Sequence, residues 1–357
     1  MTRVASLSYA CRQGLGWLMR RFFDAGIVTD PIIYRHSHPS RKTLTEWYPP
    51  GTPVVEGRNL SADQEVVDVL RQADVLLCLE TFFDWELVNA CRRLQVKTVL
   101  MPMYEWTPVR WPAKPDYVLC PSLLDQDFFR DEFPGRCPFV PVPASPVEWK
   151  LRTRANRWLH NAGNVGHREH KGTRQLIEAV PLVRNPDFRL TIKAQDSAAL
   201  TSILNDHPAA RDDPRLTVDL DGDQPWERMW DDHDVYIAPE KLNGLSLPLQ
   251  EAFAAGLPVF TTDRYPANTW LPADTLIPPF RMERACITRS YREFDECVVE
   301  PATIAAVIND WQGRDVERFS RAGLQWSVDN GWAKLGPVYR RVLERIARGE
   351  TIEEKPT

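Results

Sequence analysis

At 357 residues, with 43% hydrophobic and 26% charged side chains, the chain is long enough for two domains of ordinary size, which excludes one small domain. Its formal net charge of -5 gives no global basic field of the sort that gathers phosphate backbones or anionic lipid, so charge lends a nucleic-acid partner no support. Seven scattered cysteines without a Cys-x-x-Cys pair, and no apolar run near the roughly 20 residues of a membrane span, point to a cytoplasmic protein with reduced thiols and no transmembrane segment.

The first half alternates apolar runs with amphipathic stretches, the pattern of βα units in a parallel sheet. Strands are expected at 3–9, 31–34, 74–79, 96–101 and 116–120, and helices after Gln13-Gly-Leu-Gly16 and over 62–72 and 83–94. Prolines in Phe139-Val-Pro-Val-Pro-Ala-Ser-Pro146 disfavour helix before them and place a linker there. The alternation then restarts, with strands at 158–161, 188–193, 216–220 and 235–238 and helices at 173–180, 198–205 and 226–231. From residue 301 onward the pattern is helical, and the end from 349 is polar and frayed.

The stretch Asp234-Val-Tyr-Ile-Ala-Pro-Glu-Lys-Leu-Asn-Gly-Leu-Ser-Leu-Pro-Leu-Gln-Glu-Ala-Phe-Ala-Ala-Gly-Leu-Pro-Val-Phe-Thr-Thr262 carries the most information. It reads as strand, loop, helix, strand, with Pro248 in the first helical turn, a stripe of Leu249, Ala252 and Phe253, and Gly256 at the stop. Gly244 lets backbone approach a ligand, the helix N-terminus offers free N–H groups to an oxygen-rich one, and the Glu251 carboxylate suits two neighbouring hydroxyls such as those of a ribose. An ordinary βαβ unit with a surface glutamate would account for the periodicity but not for the full string.

This stretch resembles the signature of retaining GT-B glycosyltransferases of family four, the glycosyl transferases group 1 type, in which two glutamates eight positions apart flank a Gly-rich turn. Glu251 matches the second, which in the family binds the nucleotide ribose, and Asn243 stands where the family has the first, which contacts the transferred sugar. Asn243 keeps hydrogen-bonding capacity without charge. A second resemblance lies in Leu159-His-Asn-Ala-Gly-Asn-Val-Gly-His-Arg-Glu-His-Lys-Gly-Thr173, where Lys171-Gly172 matches the family's diphosphate-holding Lys-Gly. Gly166 occupies the place of the family's arginine, Arg168 is the nearest substitute, and Gly163 lets loop amides face phosphate. Gly14 and Gly16 resemble the glycine turn that faces the donor in this fold, and Phe319-Ser-Arg-Ala-Gly-Leu-Gln-Trp-Ser327 with the helix around 338–346 resembles the family's final helices.

The resemblance implies an α/β protein of GT-B architecture: two Rossmann-like domains facing across a cleft, with a C-terminal helix crossing back to the N-terminal domain. The boundaries expected are 1–146 for an acceptor-binding domain, 147–330 for a nucleotide-sugar-binding domain and 331–357 for the returning helix. It implies a hexosyl- or pentosyltransferase that uses a UDP- or GDP-sugar as substrate with no cofactor and no metal, retains configuration, and acts on a glycan or small-molecule acceptor. Donor contacts are expected from Gly14, Gly16, Gly163, Arg168, Lys171, Asn243, Gly244, Leu245 and Glu251, with Lys171 and Asn243 acting in transfer.

On the acceptor side, Leu100-Met-Pro-Met-Tyr-Glu-Trp-Thr-Pro-Val-Arg-Trp111 follows a strand end and combines aromatic faces with Glu105 and Arg110; Glu80 ends the neighbouring strand. Glu105 is the expected acceptor-orienting or proton-accepting residue, set against simple packing of a loop. Asp219-Leu-Asp-Gly-Asp223, the pair His167 and His170, and the pair His36 and His38 complete no metal-ligand set. Two alternatives stay open: a non-catalytic relative that binds a nucleotide or glycan, and a transferase acting on modified DNA bases.

Overall fold

The computed structural model describes residues 2–36, 42–163, 169–195, 197–220, 228–242 and 244–352. Two compact units share the chain: the first takes Met1–Pro143, Cys286–Glu293 and Trp332–Thr357, the second Ala144–Ala285 and Phe294–Gly331.

In the first unit the order is β1 (Val4–Tyr9), α1 (Gly14–Asp24), β2 (Asp30–Tyr34), β3 (Val54–Val55), α2 (Gln64–Leu70), β4 (Val75–Leu79), α3 (Glu86–Arg93), β5 (Lys97–Met101), β6 (Tyr117–Val118) and α4 (Leu123–Phe129). These six strands form one parallel sheet in the order β3-β2-β1-β4-β5-β6. The central β4 is buried throughout, which is why it reads as a continuous apolar run rather than an alternating one. Local chemistry sets several boundaries. Asp63 caps α2 by accepting from the amides of Glu65 and Val66, so that helix starts two residues later than its periodicity suggests. Phe83, with φ +61°, is in the left-handed region, and α3 begins only beyond it. The expected strand at 116–120 shrinks to β6, and Cys120 instead bridges Phe139.

The second unit contains β7 (Arg157–Gly163), α5 (Thr173–Ala179), β8 (Arg189–Ala194), α6 (Ser197–Asp206), α7 (Pro208–Arg211), β9 (Leu216–Asp219), β10 (Val235–Ala238), α8 (Leu247–Ala254), β11 (Val259–Thr262), β12 (Leu276–Ile277), β13 (Arg281–Ala285), β14 (Phe294–Val298), α9 (Pro301–Trp311) and α10 (Glu317–Asp329). Six of its strands pair in parallel in the order β12-β11-β10-β7-β8-β9. Trp158, Phe188 and Phe260 lie in its core together with Ile304 and Ile308 of α9. The residues from 221 to 227, which include most of the Asp-rich stretch and the start of the helix expected at 226–231, lie outside the described residues.

One feature is absent from the sequence reading. β13 and β14 form an antiparallel hairpin, and the segment between them, Cys286–Glu293, belongs to the first unit rather than to a continuous second domain. α11 (Trp332–Ala347) also belongs to the first unit, where Tyr339 is buried against Phe22 and donates its hydroxyl to the Val140 carbonyl at 3.0 Å.

Both sheets reverse their winding at one place, between β1 and β4 in the first and between β7 and β10 in the second. In open parallel sheets ligands bind at the carboxyl ends of the strands at such a switch point. Those two edges are therefore where the chemistry is sought.

Candidate functional site

The switch point of the second unit is formed by the loop after β7 and the loop between β10 and α8. β7 ends on Gly163, whose φ of +58° suits glycine, and a Cβ placed there would stand 3.6 Å from Lys171 Nζ. Gly172 has φ +70° and starts α5, and its Cβ would fall 2.1 Å from the Pro239 carbonyl oxygen. The amide of Lys241 donates to the His170 carbonyl at 2.7 Å. Lys171 thus lies in a turn locked against the backbone that follows β10.

Three further side chains support this turn. His160 is fully buried in β7, with Nδ1 2.8 Å from the Ile237 carbonyl and Nε2 2.8 Å from Thr173 Oγ1. Burial lowers its pKa to about 4, so the ring is neutral at ordinary pH: Nδ1–H donates to the carbonyl and Nε2 accepts from the threonine. Lys241 pairs with Glu169 at 2.7 Å. Burial also lowers the pKa of Lys171, opposed by the carboxylates of Glu240 and then Glu251.

From the other side, α8 begins at Leu247 with Pro248 in its first turn, and Gly256, with φ +89°, follows its C-cap, as the sequence pattern predicts. Glu251 lies on this helix, half-buried, and its Oε1 accepts from Ser145 Oγ at 2.8 Å. Leu245 is buried, and its carbonyl accepts from Gln250 Nε2 at 2.8 Å; Gly244 is half-buried beside it. The structure therefore brings together Gly163, Lys171 and the 244–251 segment in one unit. Asn243 and Arg168 lie outside the described residues. Glu240, His160, Thr173 and Ser145 were not singled out by sequence reasoning.

The first unit has its own switch-point edge. Gly14 is the first residue of α1, and a Cβ on Gly16 would meet the Cys11 carbonyl at 2.2 Å, so the chain from β1 turns tightly into the helix. Glu80 follows β4 with φ +65°, a strained conformation for a residue with a side chain, and its amide donates to Met101 at 2.8 Å. Glu105 lies in the turn after β5, and its charge acts on two neighbours. Burial, with Glu105 second, pushes Glu80 up to about 7; burial and Glu105 likewise push Asp125 to about 7, against the opposing hydrogen bond from Ser122. The Cys286–Glu293 segment is laid over this turn: Tyr104 donates to the Glu293 carbonyl at 2.6 Å, Val109 to Ser290 at 3.0 Å, and Arg292 pairs with Glu132 at 2.6 Å. Arg110 is exposed. Among the described residues no three His, Cys, Asp or Glu side chains gather as a metal site, and no helix is long and apolar enough to cross a membrane.

Two α/β units, each a parallel six-stranded sheet with the same strand order, define a GT-B fold, and the second carries a Lys-Gly turn and a glutamate-bearing helix at its switch point. Residues 157–279 match the family model for glycosyl transferases group 1. Among solved structures, the chain is similar to Anabaena HepE in complex with UDP and glucose, with a TM-score of 0.66 at 10% identity over 98% of this chain and 100% of that one. It is also similar to a glycosyltransferase from Rickettsia africae, at 0.64 and 11% over 98% of each chain. Sucrose-phosphate synthase from Thermosynechococcus elongatus gives 0.63 and 12% over 98% of this chain and 100% of that one. At such identities these likenesses carry the fold. No curated protein sequence matches the chain.

Proposed function

We propose that the protein transfers a glycosyl group from a nucleoside diphosphate sugar to an acceptor hydroxyl with retention of configuration. The observation that carries this reading is the enclosure of the Lys171 ammonium beside Gly163, at the switch point shared with α8. A preorganised, partly buried cation stabilises charge that grows on a leaving diphosphate, and costs no reorganisation when the bond breaks. Arg168 and the Gly163 loop would add to that field, while Gly244, Leu245 and Asn243 orient the sugar and Glu251 takes the ribose hydroxyls. UDP is the first nucleotide to test, since HepE was solved with UDP and with UDP-glucose.

In the first unit Glu105 and Glu80 would recognise the acceptor hydroxyl, and Gly14 and Gly16 supply the counterpart of the family's glycine turn. The acceptor class that fits a carboxylate pair framed by aromatic rings is a glycan or other polyol. The deciding experiment is a mass-spectrometric screen of UDP-, GDP- and ADP-sugars for hydrolysis and for ligand-induced thermal stabilisation. Binding of one donor class supports the reading, and binding of none rejects it. Proton NMR of the first-formed product anomer then tests retention.

A further inference from the structure

The loop after β10 carries a carboxylate to which the donor-site reading gives no task. Glu240 is fully buried; its Oε1 accepts from Ser246 Oγ at 2.8 Å and its Oε2 from Arg264 Nη2 at 3.1 Å. Burying such a pair has a desolvation cost that its own attraction rarely exceeds by much, so stability alone is a weak reason for it. Its surroundings supply a better one. The Pro239 carbonyl fills the space where Gly172 lacks a Cβ, and Lys241 donates to the His170 carbonyl, so Glu240 is held between two residues that grip the Lys171 turn. Ser246, the residue before α8, has φ +42°, a left-handed conformation unfavourable for a side chain bearing a Cβ, and its hydroxyl is tied to Glu240 there.

We infer that Glu240 is a positioning residue of this site, a buried carboxylate that is set between the two residues packed on the Lys171 turn and, through Ser246, fixes the turn from which α8 starts. The inference rests on the assignment of Lys171 to the donor diphosphate. The titratable groups acting on Lys171 are Glu240, Glu251 and the neutral His160, so two carboxylates hold the charge that burial opposes. Without Glu240 only Glu251 remains against burial. Lys171 then loses its proton at lower pH, and with it the cation that meets the diphosphate.

The test uses E240Q and the double variant E240Q/R264Q, the latter because the single change leaves Arg264 buried without its partner. Two quantities are followed as pH is raised from about 6 through the range in which Lys171 titrates: the 15Nζ titration of Lys171 and the UDP dissociation constant by calorimetry. Lys171 is expected to titrate at lower pH in both variants, and the affinity gap to wild type to widen roughly tenfold across that range. A Lys171 titration that superimposes on wild type, or a loss of UDP affinity by the same factor at every pH, overturns the inference. If wild-type protein binds no UDP, the donor reading fails instead, and the Lys171 titration still decides whether Glu240 holds its charge.

Discussion

Gly163 and Lys171 are packed so closely that a Cβ on the glycine would touch the ammonium, 3.6 Å away, and Gly163 itself has φ +58°. The end of β7 and the Lys-Gly turn are therefore one unit of geometry. Lys171→Ala should lower turnover of the accepted donor about 100-fold or more, the usual loss when a preorganised charge-stabilising group is removed. Gly163→Ala should weaken UDP binding and lower stability by about 1 kcal/mol through backbone strain. Steady-state kinetics and calorimetry check both, and near-wild-type turnover by Lys171→Ala would reject the diphosphate assignment.

His160 supplies a pH dependence. Its folded pKa of about 4 lies below the ordinary value of 6.5, so in the acid range the unfolded chain binds a proton that the folded protein does not. Stability conferred by the neutral ring is complete above about 6.5 and is lost as pH falls toward 4, by up to ~3 kcal/mol. His160→Gln should unfold at lower denaturant than wild type at pH 7, and that difference should shrink by about pH 4.5. A constant difference across pH would mean that the imidazole does not titrate with folding.

Ser145 and Glu251 are 106 residues apart in sequence yet hydrogen-bonded at 2.8 Å. Glu251→Ala should raise the UDP dissociation constant about tenfold or more if its carboxylate takes the ribose hydroxyls, since bonds to a charged group are worth about 1.5–3 kcal/mol. Ser145→Ala only frees the carboxylate to move, and a rise of about threefold is expected. Pyrophosphate should lose less affinity than UDP in Glu251→Ala, where the carboxylate also acts on Lys171, and none in Ser145→Ala. Equal losses for UDP and for diphosphate would place Glu251 outside ribose recognition.

Much of this arrangement was legible in the chain. Val75–Leu79 and Val235–Ala238 are short apolar runs buried from end to end, and Pro248 and Gly256 bracket α8 by backbone chemistry that depends on local sequence. Lys171 and Glu251 stood out because each sits in a recognisable string. Glu240, His160 and Ser145 did not, because what they touch is set by strand order: β7 and β10 are neighbours only after the crossovers through β8 and β9. The β13–β14 hairpin escaped notice because Arg281, Met282, Glu283 and Arg284 are all exposed, so no apolar alternation marks the strand. That Cys286–Glu293 covers the Glu105 turn is likewise a contact between distant segments.

Glu80 gives the opposite sign to His160. Its folded pKa of about 7 lies above the ordinary 4.5, so between these values the folded protein holds a proton that the unfolded chain has released, and stability declines as pH rises. Glu80→Gln removes the charge that burial and Glu105 oppose. The variant should be more stable than wild type at about pH 8, by on the order of 2 kcal/mol, with the gap closing toward pH 5. Denaturant unfolding at the two pH values checks this. UDP affinity, which the proposal assigns to the second unit, should be unchanged, while transfer to any acceptor that the wild type uses should fall. Such a combination, more stable and less active, is the mark of a carboxylate kept strained for its chemistry rather than its packing. A Glu80→Gln protein that matches wild type at both pH values would show the carboxylate to be solvated and ordinary.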